Sequence, residues 1–361
     1  MRKSIQGFTP ILLILIVGLG ILFFAIFNRS DKKEVILPVL EGVNKAITLS
    51  SPTPTPFAFQ ELTIPYLRKR SYLSNLEEMR KGNETLIYTS YVTSYDSDGL
   101  TVYGLLTIPK ESPSTNAQGD SRRYPAIIFV HGYIPPQNYQ TTVNYNSYVD
   151  YLAKNGFVVF KIDLRGHGNS EGEPGGGYYS SDYVIDTLNA IAALRNTDFV
   201  NPRAIGLWGH SMAGNVVFRA LGANPEIPAV VIWAGAGYTY QDLQEYRIED
   251  TSYQPPPPDS ERAKKRQQLR DAYGTFNPDH WFWKQVPATN YLSDIKGAVQ
   301  LNHAVNDNVV SIEYSKNLDS LLDKTSIPHE LNEYSSGGHN LTGSAFSQAM
   351  QNTVEFFQKY L

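Results

Sequence analysis

The stretch that decides the fold is Ala204-Ile205-Gly206-Leu207-Trp208-Gly209-His210-Ser211-Met212-Ala213-Gly214. Residues 204–208 are an apolar run of the kind found in strands buried on both faces of a parallel sheet, and residues 211–221 have a helical pattern. Small residues stand two positions before and two after Ser211, where a strand and the helix that follows it pass close together. The pattern predicts a sharp strand–turn–helix unit with the serine at its tip.

One position departs from the nucleophile-elbow pattern G-x-S-x-G, because Ala213 stands where the second glycine is usual. Alanine adds a single methyl group and Gly214 follows at once, so we expect the turn to survive. The alternative is that Ser211 is only the N-cap of an ordinary helix. The strand before it and the helix after it favour the elbow, which makes Ser211 a candidate nucleophile.

Strand and helix patterns alternate on both sides of this unit. Residues 86–95 and 100–108 are rich in β-branched and aromatic residues, and the turn signal Asp96-Ser97-Asp98-Gly99 between them predicts a hairpin. Further strands are predicted at 126–130, 157–162, 204–208, 229–233, 298–301 and 329–334, and helices at 182–194, 211–221, 312–322 and 345–361. This order predicts an α/β fold with a mostly parallel eight-stranded sheet, helices on both faces and the hairpin at an antiparallel edge.

The connection from Trp233 to Gly297 is longer than one crossover helix requires. It contains four prolines at 255–258, a basic helical pattern around 263–266 and the aromatic cluster Trp281-Phe282-Trp283. We therefore predict a cap insertion at about 238–290, within a catalytic domain that spans residues 85–361.

The N-terminal segment predicts a membrane anchor. A basic start at residues 1–7 precedes an uncharged apolar run, and we place a transmembrane helix at 8–27. A cleaved signal peptide and a buried core helix are the alternatives, but no small-x-small cleavage site follows Phe27. The Pro/Thr-rich residues 28–60 predict a stalk, which favours a single-pass cell-membrane protein with its catalytic domain outside the cytoplasm. Residues 61–84 predict either a short docking helix or a charged, exposed face.

Composition excludes several functions. The net charge of −4 argues against a nucleic-acid partner. The absence of cysteine excludes disulfides, thiolate zinc sites and a thiol nucleophile. The glycine-rich residues 171–177 lack the Gly-Lys-Ser/Thr ending of a phosphate-binding loop. We expect neither a cofactor nor a metal.

A base and an acid for Ser211 should follow it in the chain order Ser, Asp, His. Among the seven histidines, His339 is the one that lies between the last predicted strand and the C-terminal helix. Asp307 follows the strand at 298–301 and would accept the Nδ1–H of His339, which fixes the tautomer of the ring. The weaker candidates, which precede that strand or fall within a helix, are Asp294 and Asp319.

An oxyanion hole would need two backbone N–H groups. One is expected from Met212, directly after the serine, and the other from Tyr133 in the loop His131-Gly132-Tyr133, where the alternative is a plain strand-end turn. The loop Asp163–Ser170 is interpreted as a structural loop held by an Asp–Arg pair.

These residues together resemble a known family. His131-Gly132, the loop 163–170, residues 209–214, Asp307 and Gly338-His339 recur in this order in α/β-hydrolases, and the set most resembles the catalytic domain of prolyl oligopeptidase-like serine peptidases over residues 85–361. The resemblance implies a triad of Ser211, Asp307 and His339, with Tyr133 and Met212 at the oxyanion hole.

The resemblance also implies a substrate class, namely peptides or small esters. Residues 1–84 leave no room for the β-propeller of the oligopeptidases, so a carboxylesterase or carbohydrate esterase fits as well as a serine-type peptidase. An inactive binding protein is a further alternative, but such a protein is expected to lack a triad member and none is missing. The lipid bilayer is the other expected partner, through the N-terminal helix.

Overall fold

The computed structural model describes residues 56–110, 123–246 and 248–361. The predicted anchor at 8–27 and the stalk up to residue 55 lie outside these residues. Within the described ranges, no helix has both the length and the apolar character needed to cross a membrane.

The described chain forms one mixed sheet of nine strands in the order β1-β2-β3-β5-β4-β6-β7-β8-β9. Antiparallel pairs join β1, β2, β3 and β5, and all other neighbours are parallel. The strands are β1 (Arg80–Glu84), β2 (Tyr88–Ser97), β3 (Leu100–Pro109), β4 (Tyr124–Val130), β5 (Val158–Ile162), β6 (Val200–His210), β7 (Ala229–Trp233), β8 (Ala298–Ala304) and β9 (His329–Tyr334).

The prediction of eight strands was wrong by one, because β1 was placed in the docking segment. Its sequence Arg-Lys-Gly-Asn-Glu has no apolar or β-branched residue, and all of it is exposed. It pairs with β2 through the backbone, with Arg80 opposite Val92. Charged residues on an outer strand are a common defence against edge-to-edge aggregation, so strand propensity does not reveal such a strand.

The predicted hairpin is confirmed. Ser97 pairs with Leu100, and the two residues between them, Asp98 and Gly99, have φ of +57° and +82°. Positive φ at both positions gives a turn whose twist matches that of the flanking strands, and Asp-Gly is a favoured sequence for it.

Helices cover both faces of the sheet, as predicted. One face carries α1, α3, α4 and α7, and the other carries α2 and α8. The helices are α1 (Ile64–Lys69), α2 (Asn146–Lys154), α3 (Asp182–Arg195), α4 (Ala213–Ala223), α5 (Asp242–Glu245), α6 (Glu261–Tyr273), α7 (Glu313–Leu322) and α8 (Ser344–Tyr360). The strands β5, β7 and β8 are buried along their whole length. Strands buried on both faces tend to be apolar throughout, and β7 is, whereas β5 contains Lys161 and β8 contains Gln300, Asn302 and His303.

The docking segment, residues 61–84, contains the short helix α1. Arg68 of α1 donates to the carbonyl of Gly222 at 2.8 Å and to Asp294 at 2.6 Å. Leu76 forms an isolated bridge with Tyr95. These contacts fix the segment against α4 and β2.

The long connection between β7 and β8 holds α5, α6 and two short 3₁₀ helices at Trp283–Gln285 and Ala288–Asp294. It has a small apolar cluster of its own, formed by Leu62, Tyr240, Leu269, Phe282, Trp283 and Val286. We call residues 238–290 the cap.

The sheet order positions the functional loops. The chain leaves β4 towards β5 on one side and returns to β6 on the other, so loops after β4 and β6 diverge. Ligands of open α/β sheets bind outside the carboxyl ends of the strands at such a point. Gly132 follows β4 and Ser211 follows β6, which places both at this crevice.

Candidate active site

Ser211 lies directly after β6 in a left-handed conformation with φ +57°. Its N–H donates to the carbonyl of Trp233 at 2.9 Å, and its own carbonyl accepts the N–H of Gly214 at 2.9 Å. A non-glycine residue in this region is held there by its surroundings at an energetic cost. Because residues 211 and 212 form the turn, α4 begins at Ala213 rather than at residue 211 as predicted.

Gly209 and Gly214, the two glycines around Ser211, are each required by a different close contact. A Cβ at Gly209 would lie 2.8 Å from the carbonyl oxygen of Ala213, where strand and helix cross. A Cβ at Gly214 would lie 2.7 Å from the Cα of Gly235. The second close approach is therefore at Gly214, and Ala213 is buried without needing to be glycine.

His339 and Asp307 meet Ser211 from the two loops in which they were expected. The Nε2 atom of His339 lies 2.9 Å from the Oγ of Ser211, and its Nδ1 lies 2.8 Å from the Oδ2 of Asp307. His339 follows β9 and Asp307 follows β8. The carboxylate fixes Nδ1 as the protonated nitrogen, so Nε2 accepts the serine proton. The other candidate acids are elsewhere: Asp294 pairs with Arg68, and Asp319 lies in α7.

The side chain of Asp307 is fully buried and surrounded by donors. Its Oδ1 accepts the N–H groups of Val309 and Val310 at 2.8 and 3.0 Å. Its Oδ2 lies 3.2 Å from the Nε2 of His303. Burial alone would raise the pKa of Asp307, but hydrogen bonds from His303 and His339 outweigh it and hold that pKa well below its usual range.

His210 and Tyr145 form a second hydrogen-bonded chain behind the serine. The Nε2 of His210 lies 2.9 Å from the carbonyl oxygen of His339, which can only accept, so this nitrogen carries the proton. The Nδ1 atom therefore accepts the hydroxyl of Tyr145 at 2.7 Å, and that hydroxyl accepts the N–H of Gly132 at 3.1 Å. Burial, with the nearby His339, lowers the pKa of His210 to about 3. These hydrogen bonds join the loop after β4 to the loop of His339.

Tyr133 and Met212 flank Ser211 on the walls of one cavity. Within the part of the chain that the structure describes, neither backbone N–H group donates to a protein acceptor. Buried or half-buried N–H groups are normally paired, so two free donors beside a serine are available for a ligand oxygen.

Comparison with known proteins fits this geometry. Residues 122–251 match the family described as serine aminopeptidase, S33. The fold matches acetyl xylan esterase 1 from Thermoanaerobacterium sp. JW/SL YS485 with a TM-score of 0.53 and 18% identity, over 81% of this chain and 90% of that one. The described chain therefore has the α/β-hydrolase fold.

Two further similarities set the scope of this assignment. The fold also matches an acylaminoacyl peptidase from Pyrococcus horikoshii with a TM-score of 0.58 and 18% identity, over 76% of this chain and 42% of that one. A thiohydrolase, aneE, from Aspergillus aculeatus is 32% identical over 142 residues, which is 39% of this chain and 40% of the relative. The chain thus spans well under half of that curated relative.

The loop 163–170 of this α/β-hydrolase is structural, but the Asp–Arg pair expected in it was wrong. Arg165 donates to Asp186 of α3 at 2.7 Å rather than to Asp163. Asp163 accepts the hydroxyls of Tyr139 and Thr141 at 2.7 and 2.5 Å and lies 3.9 Å from the Nζ of Lys161. Burial raises the pKa of Asp163 and lowers that of Lys161 to about 8.

Two cavities of about 370 Å³ each open on either side of Ser211. We call the one lined by His339, Asn340, Tyr145 and Val309 the histidine-side cavity. We call the one lined by Met212, Leu243, Ile248, Tyr178, Arg262 and Arg266 the cap-side cavity. Both volumes are at the small end of the range for small-molecule pockets.

Sequence reasoning missed three residues of the site: Tyr145, His210 and His303. His210 could have been noticed as the residue between Gly209 and Ser211, and His303 as the residue four before Asp307. No sequence signal singles out Tyr145, because its role depends on the packing of α2 against the loop after β4.

Proposed function

We propose that this α/β-hydrolase is a serine hydrolase that cleaves peptide or other amide bonds and carboxylic esters through an acyl-enzyme. The observation that carries the proposal is the continuous hydrogen-bonded line from Ser211 Oγ through His339 to Asp307, with links of 2.9 and 2.8 Å. This line begins at Ser211, whose backbone is strained and which lies at the carboxyl edge of the sheet, where a substrate carbonyl can approach.

In the acylation step, the Oγ of Ser211 attacks the substrate carbonyl carbon while His339 Nε2 takes the hydroxyl proton. The carbonyl π-electrons move to oxygen, and the N–H groups of Tyr133 and Met212 donate to that oxyanion. Each such donor contributes roughly 2.7–4 kcal/mol to transition-state stabilisation in comparable enzymes. Asp307 stays ionised and stabilises the imidazolium, in keeping with the low pKa that its donors give it.

When the tetrahedral intermediate collapses, the carbonyl re-forms and the bond to the leaving group breaks. His339 returns its proton to the departing oxygen or nitrogen. Water then attacks the acyl-serine with His339 again as base, and the same steps release the acid and regenerate the Ser211 hydroxyl. No step calls for a metal or a cofactor.

Cleavage of peptide bonds is the first candidate within this class, supported by the match of residues 122–251 to the serine aminopeptidase family. Carboxylesters, including acylated carbohydrates, are the second candidate. The acylation chemistry is the same, and the two small cavities beside Ser211 accommodate modest groups on both sides of either bond.

We also propose that residues 8–27 anchor the chain in the cell membrane, with the catalytic domain outside the cytoplasm. The support is the uncharged run ILLILIVGLGILFFAIF at 11–27 and the Pro/Thr-rich sequence after it. Alkaline extraction of membranes from cells expressing the full-length chain should leave it in the membrane pellet, and protease added outside intact cells should remove the catalytic domain. Release of full-length chain into the soluble fraction would contradict the anchor.

The first test is labelling of the full-length protein, in mild detergent, by a fluorophosphonate probe beside a Ser211→Ala control. The probe reacts only with an activated serine, so labelling should appear in the wild type and vanish in the control. Turnover of p-nitrophenyl esters and aminoacyl-p-nitroanilides would then separate the two candidate activities. A folded wild type that takes no label and turns over neither substrate would favour an inactive binding protein.

A further inference from the structure

The cap-side cavity contains two cations on one helix. Arg262 and Arg266 of α6 are four residues apart, which places them on the same face of the helix. Both are half-buried and line the cavity that also contains Ser211 and Met212. The next residue in the series, Arg270, is exposed and does not line this cavity.

Neither arginine is neutralised by a carboxylate among residues 56–110, 123–246 and 248–361. Arg262 donates from Nη1 to the carbonyl of Pro174 at 3.1 Å, and Arg266 lies over the ring of Tyr179 with its Cζ 5.9 Å from the centroid. Other arginines of the fold do have carboxylate partners, such as Arg68 with Asp294 and Arg165 with Asp186. The free donors of Arg262 and Arg266 are therefore available to a ligand.

The guanidinium of Arg262 packs directly against Gly175. A Cβ at Gly175 would lie 1.3 Å from the Nη1 of Arg262, so the guanidinium occupies the space that any side chain at 175 would fill. Burial, with repulsion from Arg266, lowers the pKa of Arg262, which an approaching anion would relieve.

No nearby acid among the described residues forms an ion pair with either arginine, although Asp182 acts on Arg262 electrostatically. Asp250 lines both cavities, and its Oδ1 is engaged by the hydroxyl and N–H of Ser252 at 2.6 and 2.8 Å. On the outer side of the arginines, Asp182 lies 3.4 Å from Arg165 and Glu261 lies 2.7 Å from Lys264. Glu173 lines the same outer side and forms no ion pair with either arginine among the described residues.

The position of His339 assigns the two cavities to the two halves of a substrate. His339 must protonate the leaving group, so the leaving group occupies the histidine-side cavity. The acyl half then extends into the cap-side cavity, past Met212 and towards the two arginines.

We propose that Arg262 and Arg266 form a subsite for a carboxylate on the acyl half of the substrate, as in a dicarboxylic monoester or a peptide with an acidic residue before the scissile bond. The proposal rests on the proposed hydrolase function. Guanidinium groups suit this role because their N–H donors match the geometry of a carboxylate.

The test compares two esters that differ only at the far end of the acyl chain: mono-p-nitrophenyl adipate and p-nitrophenyl hexanoate. Full-length wild type should show a kcat/KM about 10- to 100-fold higher for the adipate ester, the range of one charge-assisted hydrogen bond. Arg266→Gln should reduce this preference about tenfold or more, mainly through KM. The matched control Arg270→Gln, the same change one turn along α6, should retain it.

Equal kcat/KM for the two esters, or a preference that survives in Arg266→Gln, would overturn the subsite while leaving the hydrolase function intact. If neither ester is cleaved and the probe does not label Ser211, the proposed hydrolase function is wrong. The carboxylate subsite is then tested by a binding measurement alone. Calorimetric titration into Ser211→Ala should then show mono-p-nitrophenyl adipate binding about tenfold or more tighter than p-nitrophenyl hexanoate, with the difference lost on adding Arg266→Gln. Equal affinities there would refute the subsite.

Discussion

Replacing Tyr145 by phenylalanine removes one hydroxyl that joins the two loops around Ser211. That hydroxyl accepts the N–H of Gly132 at 3.1 Å and donates to the Nδ1 of His210 at 2.7 Å. Phenylalanine keeps the ring contacts with Phe129 and Trp208. The change therefore isolates the two hydrogen bonds from the packing of the ring.

The cost follows from burial. Gly132 and His210 are both buried, so the loss of the hydroxyl leaves one buried donor and one buried acceptor unpaired. Each such group costs about 1–3 kcal/mol, and we expect the free energy of unfolding to fall by about 2–6 kcal/mol in total. Tyr133, whose N–H is the proposed oxyanion donor, follows Gly132 directly. Loosening of this loop should therefore also lower kcat about tenfold with little change in KM. Such a loss is a part of the roughly 2.7–4 kcal/mol that one oxyanion donor contributes.

The assay is urea unfolding together with steady-state hydrolysis of a p-nitrophenyl ester. Tyr88→Phe is the matched control, because its hydroxyl donates to Asp150 at 2.8 Å and lies outside both cavities beside Ser211. The control should lose about 1 kcal/mol or less and keep its kcat. If Tyr145→Phe behaves like Tyr88→Phe in both measurements, the chain from Gly132 to His339 has no functional role.

Three further predictions concern the site and its supports. Asp307→Asn should fold normally but lower kcat by about 10⁴-fold, since an amide N–H facing Nδ1 selects the wrong tautomer of His339; a fully active variant would remove Asp307 from the mechanism. Gly214→Ala should lower the free energy of unfolding by about 1–3 kcal/mol, because its Cβ would lie 2.7 Å from the Cα of Gly235, and unchanged urea unfolding would contradict this packing. Because the pKa of His210 is lowered to about 3, the unfolded chain binds more protons than the folded one between that value and about 6.5. This residue should therefore cost up to about 5 kcal/mol of stability as pH falls through that window. His210→Asn should flatten the pH profile, and an unchanged slope would argue against a neutral His210.

The parallel part of the sheet could be predicted because strands buried on both faces need apolar residues at consecutive positions, and such runs are visible in the sequence. The strands β4, β5 and β7 are almost entirely apolar, with Lys161 of β5 as the charged exception, and they stand between helical patterns. The edge strand β1 has no such signature, because all of its residues are exposed and it is held by backbone pairing and polar contacts rather than by a buried apolar face. Burial patterns thus reveal the centre of a sheet better than its edge.

His339 and Asp307, which form the hydrogen-bonded line from Ser211, could be predicted from the sequence for a different reason. Topology limits where each partner can stand, so chain order and loop position select His339 and Asp307 from the available histidines and aspartates. The partner of Arg165 was not accessible, because Asp186 is brought to it by the packing of α3 and not by sequence proximity. Contacts set by topology can be read from one sequence, whereas contacts set by side-chain packing cannot.

The packing around His210 also has a consequence for the chemistry. The rings of His210 and His339 are 4.7 Å apart between centroids. In the proposed mechanism, His339 becomes positively charged each time it takes the serine proton. A charged His210 would oppose that step by like-charge repulsion at short range. Burial, with the nearby His339, lowers the pKa of His210 and keeps it neutral. Its hydrogen bonds to Tyr145 and to the carbonyl of His339 hold it in place, so it can position the His339 loop without competing for the proton. We therefore interpret His210 as a positioning residue whose neutrality is required, which a lysine or arginine at this position would not provide.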